Sequence, residues 1–550
     1  MNISALQKER AKYQPKLPKS LKGIGKLVEG EKTQSVADQD EIKKLFPNTY
    51  GMPLVSFEEG TVAVDRAPIN VGVILSGGQA PGGHNVISGI FDGIKNINPK
   101  SKLYGFLGGP EGLIEHKYIE LTAEIIDDYR NTGGFDIIGS GRTKLEEEWQ
   151  FDKALEIAKD LDLTSLVIIG GDDSNTNACV LAEYYAAKKS GMQVIGCPKT
   201  IDGDLKNEMI EASFGFDTAT KVYSELIGNI QRDSNSAKKY WHFIKLMGRS
   251  ASHIGLECAL KTQPNITLIS EEVEKKQQTL SDVVNYMAGI IAKRAENGDS
   301  FGVALIPEGL VEFIPEMKQL IAELNDLLAD GTKTEREFKH LKKSHRITWV
   351  AEMISPESAK VLLSIPSRIA SQLMLDRDPH GNVQVSLIET EKLLGEMVSK
   401  KLDEMKSEGK YVSNFGIQYH FFGYEGRCAA PSNFDADYCY TLGFAASALV
   451  SEGKTGYMSS VRNLTAPADE WIAGGVPTTM MMNMEKRHGH MKPVIQKALV
   501  DLEGAPYKYF KSKRGEWAYN TNFIYPGPIQ YFGPSDVCDV TTETLKLEQE

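Results

Sequence analysis

The stretch Val167–Thr176, VIIGGDDSNT, decides how this chain is read. Four apolar residues, Leu166–Ile169, run into two glycines and then two adjacent aspartates. A short apolar run that stops at Gly-Gly is how a buried parallel strand ends at a ligand. The glycines let backbone N–H groups approach an anion closely. Two carboxylates beside a phosphate cradle would repel it unless a cation intervenes. Asp172 and Asp173 therefore point to Mg²⁺ and a phosphate.

The same arrangement recurs outward from this point. Pro198–Asp204, PKTIDGD, follows the apolar pair Val194–Ile195 and offers a lysine, a threonine hydroxyl and two carboxylates. Leu246–Arg249, LMGR, follows His242–Lys245. Pro307–Leu310, PEGL, follows Val303–Ile306, and a fifth loop is Gly423–Asp435, GYEGRCAAPSNFD. Ligands of open α/β sheets bind at the carboxyl ends of strands, which is where these segments fall.

The regular pattern begins at Asn70–Leu75, NVGVIL, a strand that runs into Ser76–Asn85, SGGQAPGGHN, and a helix from Val86. Strands are predicted at Lys102–Phe106, Asp136–Ile138, Ser165–Ile169 and Gln193–Gly196, alternating with helices. That is the α/β pattern of a parallel, helix-covered sheet. A second series starts near Trp241 and includes Ser300–Ile306. From Val311 to about His420, charged stretches such as Glu316–Asp326 and Thr334–Lys343 predict a helical insertion. A helix over Asp437–Val450 follows the last loop. No period of about 20–50 residues marks a repeat array.

The bulk numbers agree with a globular protein of two to four lobes. The chain has 550 residues, 41% hydrophobic and 25% charged, with 50 glycines for tight turns. A net charge of −12 argues against nucleic acid or an anionic membrane as partner. No run of about 18 apolar residues predicts a membrane span, and MNISALQKER has no apolar core for a signal peptide. The six cysteines, Cys179, Cys197, Cys258, Cys428, Cys439 and Cys538, form no CxxC, so reduced thiols and a cytoplasmic location are expected.

Each motif has a plainer reading beside the functional one. SGGQAPGGHN is either a phosphate-binding turn at a helix N-terminus or a tight turn without a ligand. It is not a GxGxxG fingerprint. GKT at Gly453–Thr455 lacks the earlier glycine of a P-loop, since Ala448 stands there. Two carboxylates after a buried strand are costly as a mere turn. Asp202 and Asp204 are turn formers or catalytic groups, and Lys199 and Thr200 beside them favour catalysis. Arg249 and Arg427 are anion ligands or surface ion pairs. Lys239 and Tyr240 read as solvated face residues, and His84 and His253 as structural histidines.

Taken in order, SGGQAPGGHN, GGDDSNT, PKTIDGD, MGR, PEGL and GYEGR resemble the phosphofructokinase family, over roughly Asn70 to Val450. The variant forms resemble its pyrophosphate-dependent branch. The length and the segment Asp376–Glu391, DRDPHGNVQVSLIETE, resemble that branch's long type. The resemblance implies two Rossmann-like three-layer lobes with a helical insertion. The expected organisation is an N-terminal extension (1–67), a pyrophosphate and Mg²⁺ lobe (68–205), a fructose 6-phosphate lobe (206–310), the insertion (311–420), and a return to the sugar-phosphate site with a C-terminal segment (421–550). Residues 1–67 are read as an oligomer contact.

The implied activity is reversible, Mg²⁺-dependent phosphorylation of fructose 6-phosphate at O1 by pyrophosphate, giving fructose 1,6-bisphosphate and phosphate in glycolysis. Asp202 would be the general base, with Lys199, Asp173, Thr200 and Asp204 around the reacting groups. Asp172 would hold Mg²⁺, and Gly77 and Gly78 would lie against pyrophosphate. Thr200, Ile201, Asp202, Met247, Gly248, Arg249, Glu308, Tyr424, Glu425, Gly426 and Arg427 would contact fructose 6-phosphate. Lys239 and Tyr240 align with a position that reaches a neighbouring subunit's site, which implies a homodimer. ATP-using relatives have glycine where Asp173 and Lys199 stand. Cys428-Ala429-Ala430 after Arg427 departs from the family's further basic residue, as the pyrophosphate branch also does. An ATP-dependent phosphofructokinase and a non-catalytic regulatory subunit are the alternatives. Asp173 argues against the first, and intact Asp172, Asp202 and Arg249 argue against the second.

Overall fold

The computed structural model describes residues 3–23, 25–60, 66–329, 332–375, 383–487 and 490–528. Their contacts divide into two units. One contains the residues up to Ala219 and Glu425–Ala498; the other contains Thr220–Tyr424 and Leu499–Pro528.

In chain order the strands of the first unit are β1 (Lys26–Lys32), β2 (Pro53–Glu58), β3 (Asn70–Leu75), β4 (Lys102–Phe106), β5 (Tyr118–Glu120), β6 (Ser165–Gly170) and β7 (Gln193–Pro198). The second unit supplies β8 (Trp241–Leu246), β9 (Ile266–Thr267), β10 (Gly302–Pro307) and β11 (Ile417–Phe422). The chain then returns to the first unit with β12 (Tyr457–Arg462), β13 (Ile472–Pro477), β14 (Met482–Arg487) and β15 (His490–Ile495).

The first unit is built on a nine-stranded sheet of order β1-β2-β13-β12-β7-β6-β3-β4-β5. Its centre, β12 to β4, is parallel, and its flanks are antiparallel. Every residue of β6 is buried, as expected of a strand covered on both faces. Alternate residues face opposite ways. Leu166 and Ile168 accordingly pack with Ala178 and Leu181 of the helix Asp172–Ala187 and with Phe151 of the helix Glu148–Asp160. The helices Gly83–Ile97 and Asn433–Ser451 cross closely, because a Cβ at Gly443 would stand 2.1 Å from the Val86 carbonyl oxygen.

The second unit has a parallel four-stranded sheet, β11-β8-β10-β9. Its core joins Trp241, Phe243 and Ile306 to the helix Leu280–Glu296 and to the helices between Leu310 and Ser407.

Several expectations change. Asp136–Ile138 is a turn, not a strand. Gly134 and Gly139 bracket Phe135–Ile138, and the Gly139 N–H bonds back to the Phe135 carbonyl at 2.8 Å. The helical stretch ends before residue 420, since Ile417–Phe422 is β11, paired with β8. Residues 1–67 are not an appendage to the sheet: they place β1 and β2 in it, and Arg10 donates to the Pro431 carbonyl at 2.8 Å. Residues beyond 205 stay with the first unit, where Phe214 bridges to Lys199. The segment after Ala498 returns to the second unit, where Asn265 donates to the Trp517 carbonyl at 2.9 Å. Part of the segment Asp376–Glu391, as far as residue 382, lies outside the described residues, as does Cys538.

Candidate active site

Three strand ends of the first unit meet at one cluster. After β3, the loop Ser76–Gly82 leads into the helix Gly83–Ile97. After β6, Gly171 caps the helix Asp172–Ala187, so both aspartates sit in its first turn, where the helix dipole favours negative charge. Asn175 staples this end by donating to the carbonyls of Gly170, Gly171 and Cys197 at 2.6, 2.9 and 3.2 Å. After β7, Lys199 to Asp204 form a turn in which the Asp202 N–H donates to Thr200 Oγ1 at 3.0 Å.

Gly77 and Gly78 are held against cations. A Cβ at Gly78 would stand 2.3 Å from Arg427 Nη1, and one at Gly77 would stand 3.4 Å from Lys199 Nζ. Ser174 Oγ donates to Ser76 Oγ at 2.8 Å, tying this loop to the Asp172 helix. Arg427 Nη2 lies 3.8 Å from Asp202 Oδ1, and its Nη1 donates to the Gln79 carbonyl at 3.3 Å. Glu425 and Gly426 precede it in the short helix Tyr424–Arg427.

The electrostatics follow from burial. Burial pushes the Lys199 ammonium down to about 8, and the Arg427 charge adds to this; Asp202, Asp172 and Asp204 pull the other way. Burial pushes the Asp204 carboxyl above its usual range, the Asp202 charge adds to it, and Lys497 opposes. Asp173 Oδ1 forms an ion pair with Lys144 Nζ at 3.2 Å. Asp172 Oδ2 lies 3.7 Å from Lys497 Nζ. Ile201 is buried beneath the turn.

A second cluster belongs to the second unit, at the carboxyl ends of β8, β10 and β11. The Gly248 N–H donates to Glu308 Oε2 at 2.9 Å, and the Met247 N–H donates to the Phe422 carbonyl at 3.0 Å. Glu308 and Met247 are buried, whereas Arg249 and Tyr424 are exposed. Tyr223 OH donates to the Gly423 carbonyl at 2.6 Å, fixing the turn before Tyr424. Lys239 and Tyr240 do not join this cluster. They precede β8, at the opposite end of a six-residue strand, roughly 20 Å away.

Other motifs prove structural. His84 is fully buried, shares a hydrogen bond with Thr132 Oγ1 at 2.7 Å, and burial pushes its imidazole down to about 3. Thr455 of GKT accepts from the Val194 N–H at 3.0 Å. Among the described residues the five cysteines are free, and no helix is long and apolar enough to cross a membrane. Sequence reasoning missed Lys144 and Lys497. A lone lysine carries no spacing signal, and both gain meaning only through long-range contact.

A phosphofructokinase family model matches residues 70–335. A Porphyromonas gingivalis protein named pyrophosphate–fructose 6-phosphate 1-phosphotransferase is 62% identical over 549 residues, covering 100% of both chains. This chain belongs to the phosphofructokinase family. A protein of the same name from Entamoeba histolytica is 55% identical and likewise covered in full, and the Arabidopsis thaliana subunit beta 1 is 54% identical over 99% of this chain and 94% of its own. Among solved structures, a pyrophosphate-dependent phosphofructokinase from Nitrosospira multiformis has a TM-score of 0.55 at 14% identity, covering 86% of this chain and 96% of that one. That likeness is one of fold, and it agrees with the phosphofructokinase fold expected from the sequence.

Proposed function

We propose that this protein transfers a phosphoryl group reversibly from pyrophosphate to O1 of fructose 6-phosphate, giving fructose 1,6-bisphosphate and phosphate. The observation that carries the reading is Lys199, a buried cation against Gly77 in a chain whose full-length relatives bear this activity as their name. Phosphoryl transfer needs positioning and charge neutralisation more than covalent chemistry. Asp202 accepts the O1 proton as the hydroxyl attacks. Lys199 is a point charge for the leaving phosphate. Asp173 opposes the α-phosphate of a nucleotide by bulk and charge. Thr200 and Asp204 shape the turn that presents Asp202. Arg427, and Arg249 with Met247, Gly248 and Glu308, bind the sugar phosphate, the arginines through forked donors.

Asp172 is the residue that fits Mg²⁺. Its carboxylate is partly exposed, in the first turn of a helix. Among the described residues no group of three or more His, Cys, Asp or Glu encloses a metal. Mg²⁺ favours one or two carboxylates together with water and phosphate oxygens, so a single protein ligand suits it. When bound, the ion neutralises part of the pyrophosphate charge. The active form is a homodimer in the cytoplasm. Lys239 and Tyr240, remote from Arg249 within their own unit, serve the partner, and the free thiols suit a reducing compartment.

The test is turnover of fructose 6-phosphate with Mg²⁺ and either pyrophosphate or ATP. Pyrophosphate alone should support it. A preference for ATP would overturn the donor, and inactivity with both would overturn the catalytic reading.

A further inference from the structure

The segment after β15 carries no motif, yet it puts a cation among the carboxylates of the first cluster. Lys497 Nζ lies 3.7 Å from Asp172 Oδ2 and 4.0 Å from Asp204 Oδ2. The backbone on both sides of Lys497 is tied to the segments that carry those two aspartates. The Ala498 N–H donates to the Asp204 carbonyl at 2.7 Å. The Ile495 N–H donates to Thr176 Oγ1 at 3.2 Å, and that hydroxyl donates to the Asp172 carbonyl at 2.9 Å. A third bond, from Gln496 N–H to the Met481 carbonyl at 2.9 Å, anchors the segment to the hairpin's other limb. The Cα of Lys497 is therefore fixed relative to both carboxylates, while its side chain is about one-third exposed. Lys497 also lines an open surface pocket of about 280 Å³ together with Leu205, Lys206, Asn207 and Met481.

We propose that Lys497 is a pyrophosphate-binding residue. It neutralises Asp172 and Asp204 in the free enzyme and turns to a pyrophosphate oxygen when that anion binds. The inference rests on the reading of the protein as a pyrophosphate user. Four carboxylates, Asp172, Asp173, Asp202 and Asp204, crowd this end of the sheet, and a polyanion cannot enter unless cations meet it. Lys144 pairs with Asp173, and Arg427 stands by Asp202. Lys199 is buried and fixed. Lys497 combines partial exposure, a long stem and a tethered backbone, the properties of a cation that can exchange a carboxylate for a phosphate.

Lys497→Met removes the charge and keeps the stem. It should raise the KM for pyrophosphate about tenfold or more, the usual weight of a charge-assisted hydrogen bond. The KM for fructose 6-phosphate should stay near wild type, whereas the melting temperature should fall, because Asp172 and Asp204 lose a counter-charge. Lys497→Arg should restore most of the pyrophosphate affinity. Equilibrium dialysis of pyrophosphate with Mg²⁺, without sugar, should show the same weakening in the absence of turnover. In the wild-type protein, pyrophosphate but not fructose 6-phosphate should slow acylation of Lys497 by acetic anhydride, read by mass spectrometry.

An unchanged pyrophosphate KM and dissociation constant in Lys497→Met would overturn the proposal. If that variant does not fold, the labelling decides, and Lys497 reactivity unaffected by pyrophosphate overturns it. A wild-type protein that neither binds nor uses pyrophosphate fails the functional reading first, and this inference with it. A wild type that uses pyrophosphate beside an unchanged variant removes the Lys497 role alone.

Discussion

At the scale of single residues, the turn after β7 concentrates the chemistry. Asp202 has its own N–H held by Thr200 Oγ1 and its carboxylate beside Arg427. Asp202→Ala is expected to lower kcat by about 10²–10⁴, the range for a lost general base. The KM for fructose 6-phosphate should change little, and steady-state kinetics read both. A variant keeping more than roughly a third of wild-type kcat is incompatible with that role. Asp173→Gly removes a carboxylate that otherwise reaches Lys144. The ratio of kcat/KM for ATP to that for pyrophosphate should rise, and an unchanged ratio would dismiss the donor gate. These positions are legible in the sequence because glycines and carboxylates directly after buried strands have few structural uses. Lys497 is not legible. Its partners lie hundreds of residues earlier in the chain, and nothing local marks it.

At the scale of elements, helix contact and ion pairing set stability. A Cβ at Gly443 would meet the Val86 carbonyl at 2.1 Å, and one at Gly89 the Tyr440 carbonyl at 2.2 Å. Backbone cannot yield as a flexible side chain does. Gly443→Ala is therefore expected to cost about 1–3 kcal/mol as overpacking, read as a lower melting temperature. In the second unit, burial tends to raise the Glu272 carboxyl, but hydrogen bonds from Arg514 and Lys276 outweigh it and hold the carboxyl down to about 2. A depressed carboxyl contributes stability above its unfolded value, here 4.5, and loses it as pH falls toward 2. Arg514→Met should weaken the protein at neutral pH and flatten this acid limb, as circular dichroism against pH will show. The sequence exposes β3, β6, β7, β8 and β10, whose apolar runs end in punctuation. It hides β1, β2 and β13, because antiparallel flanking strands without a sustained apolar run declare themselves only through their partners. It over-reads Asp136–Ile138, where apolar residues fill a buried turn.

At the scale of the whole molecule, the chain passes between units at Ala219, Tyr424 and Ala498, so neither unit is one continuous stretch. Truncation after Ala498 removes the helix Ala505–Tyr519, with Arg514 and the Trp517 carbonyl that serve Glu272 and Asn265. Calorimetry should show the second unit unfolding at lower temperature in the truncated chain. Sedimentation at assay concentration should find at least a dimer. A fully active monomer would leave Lys239 and Tyr240 without the role given to them.

The pairing of β2 with β13 also sets a timetable for biosynthesis. About four hundred residues separate the two strands. At ribosomal speeds of about 5–20 residues per second, β2 waits on the order of 20–80 s for its neighbour to be made. Until then one side of an apolar strand has no mate, a template for pairing with another nascent chain. Chains stalled before residue 472 should accordingly be cut by protease within 26–58, and released full-length chains should resist.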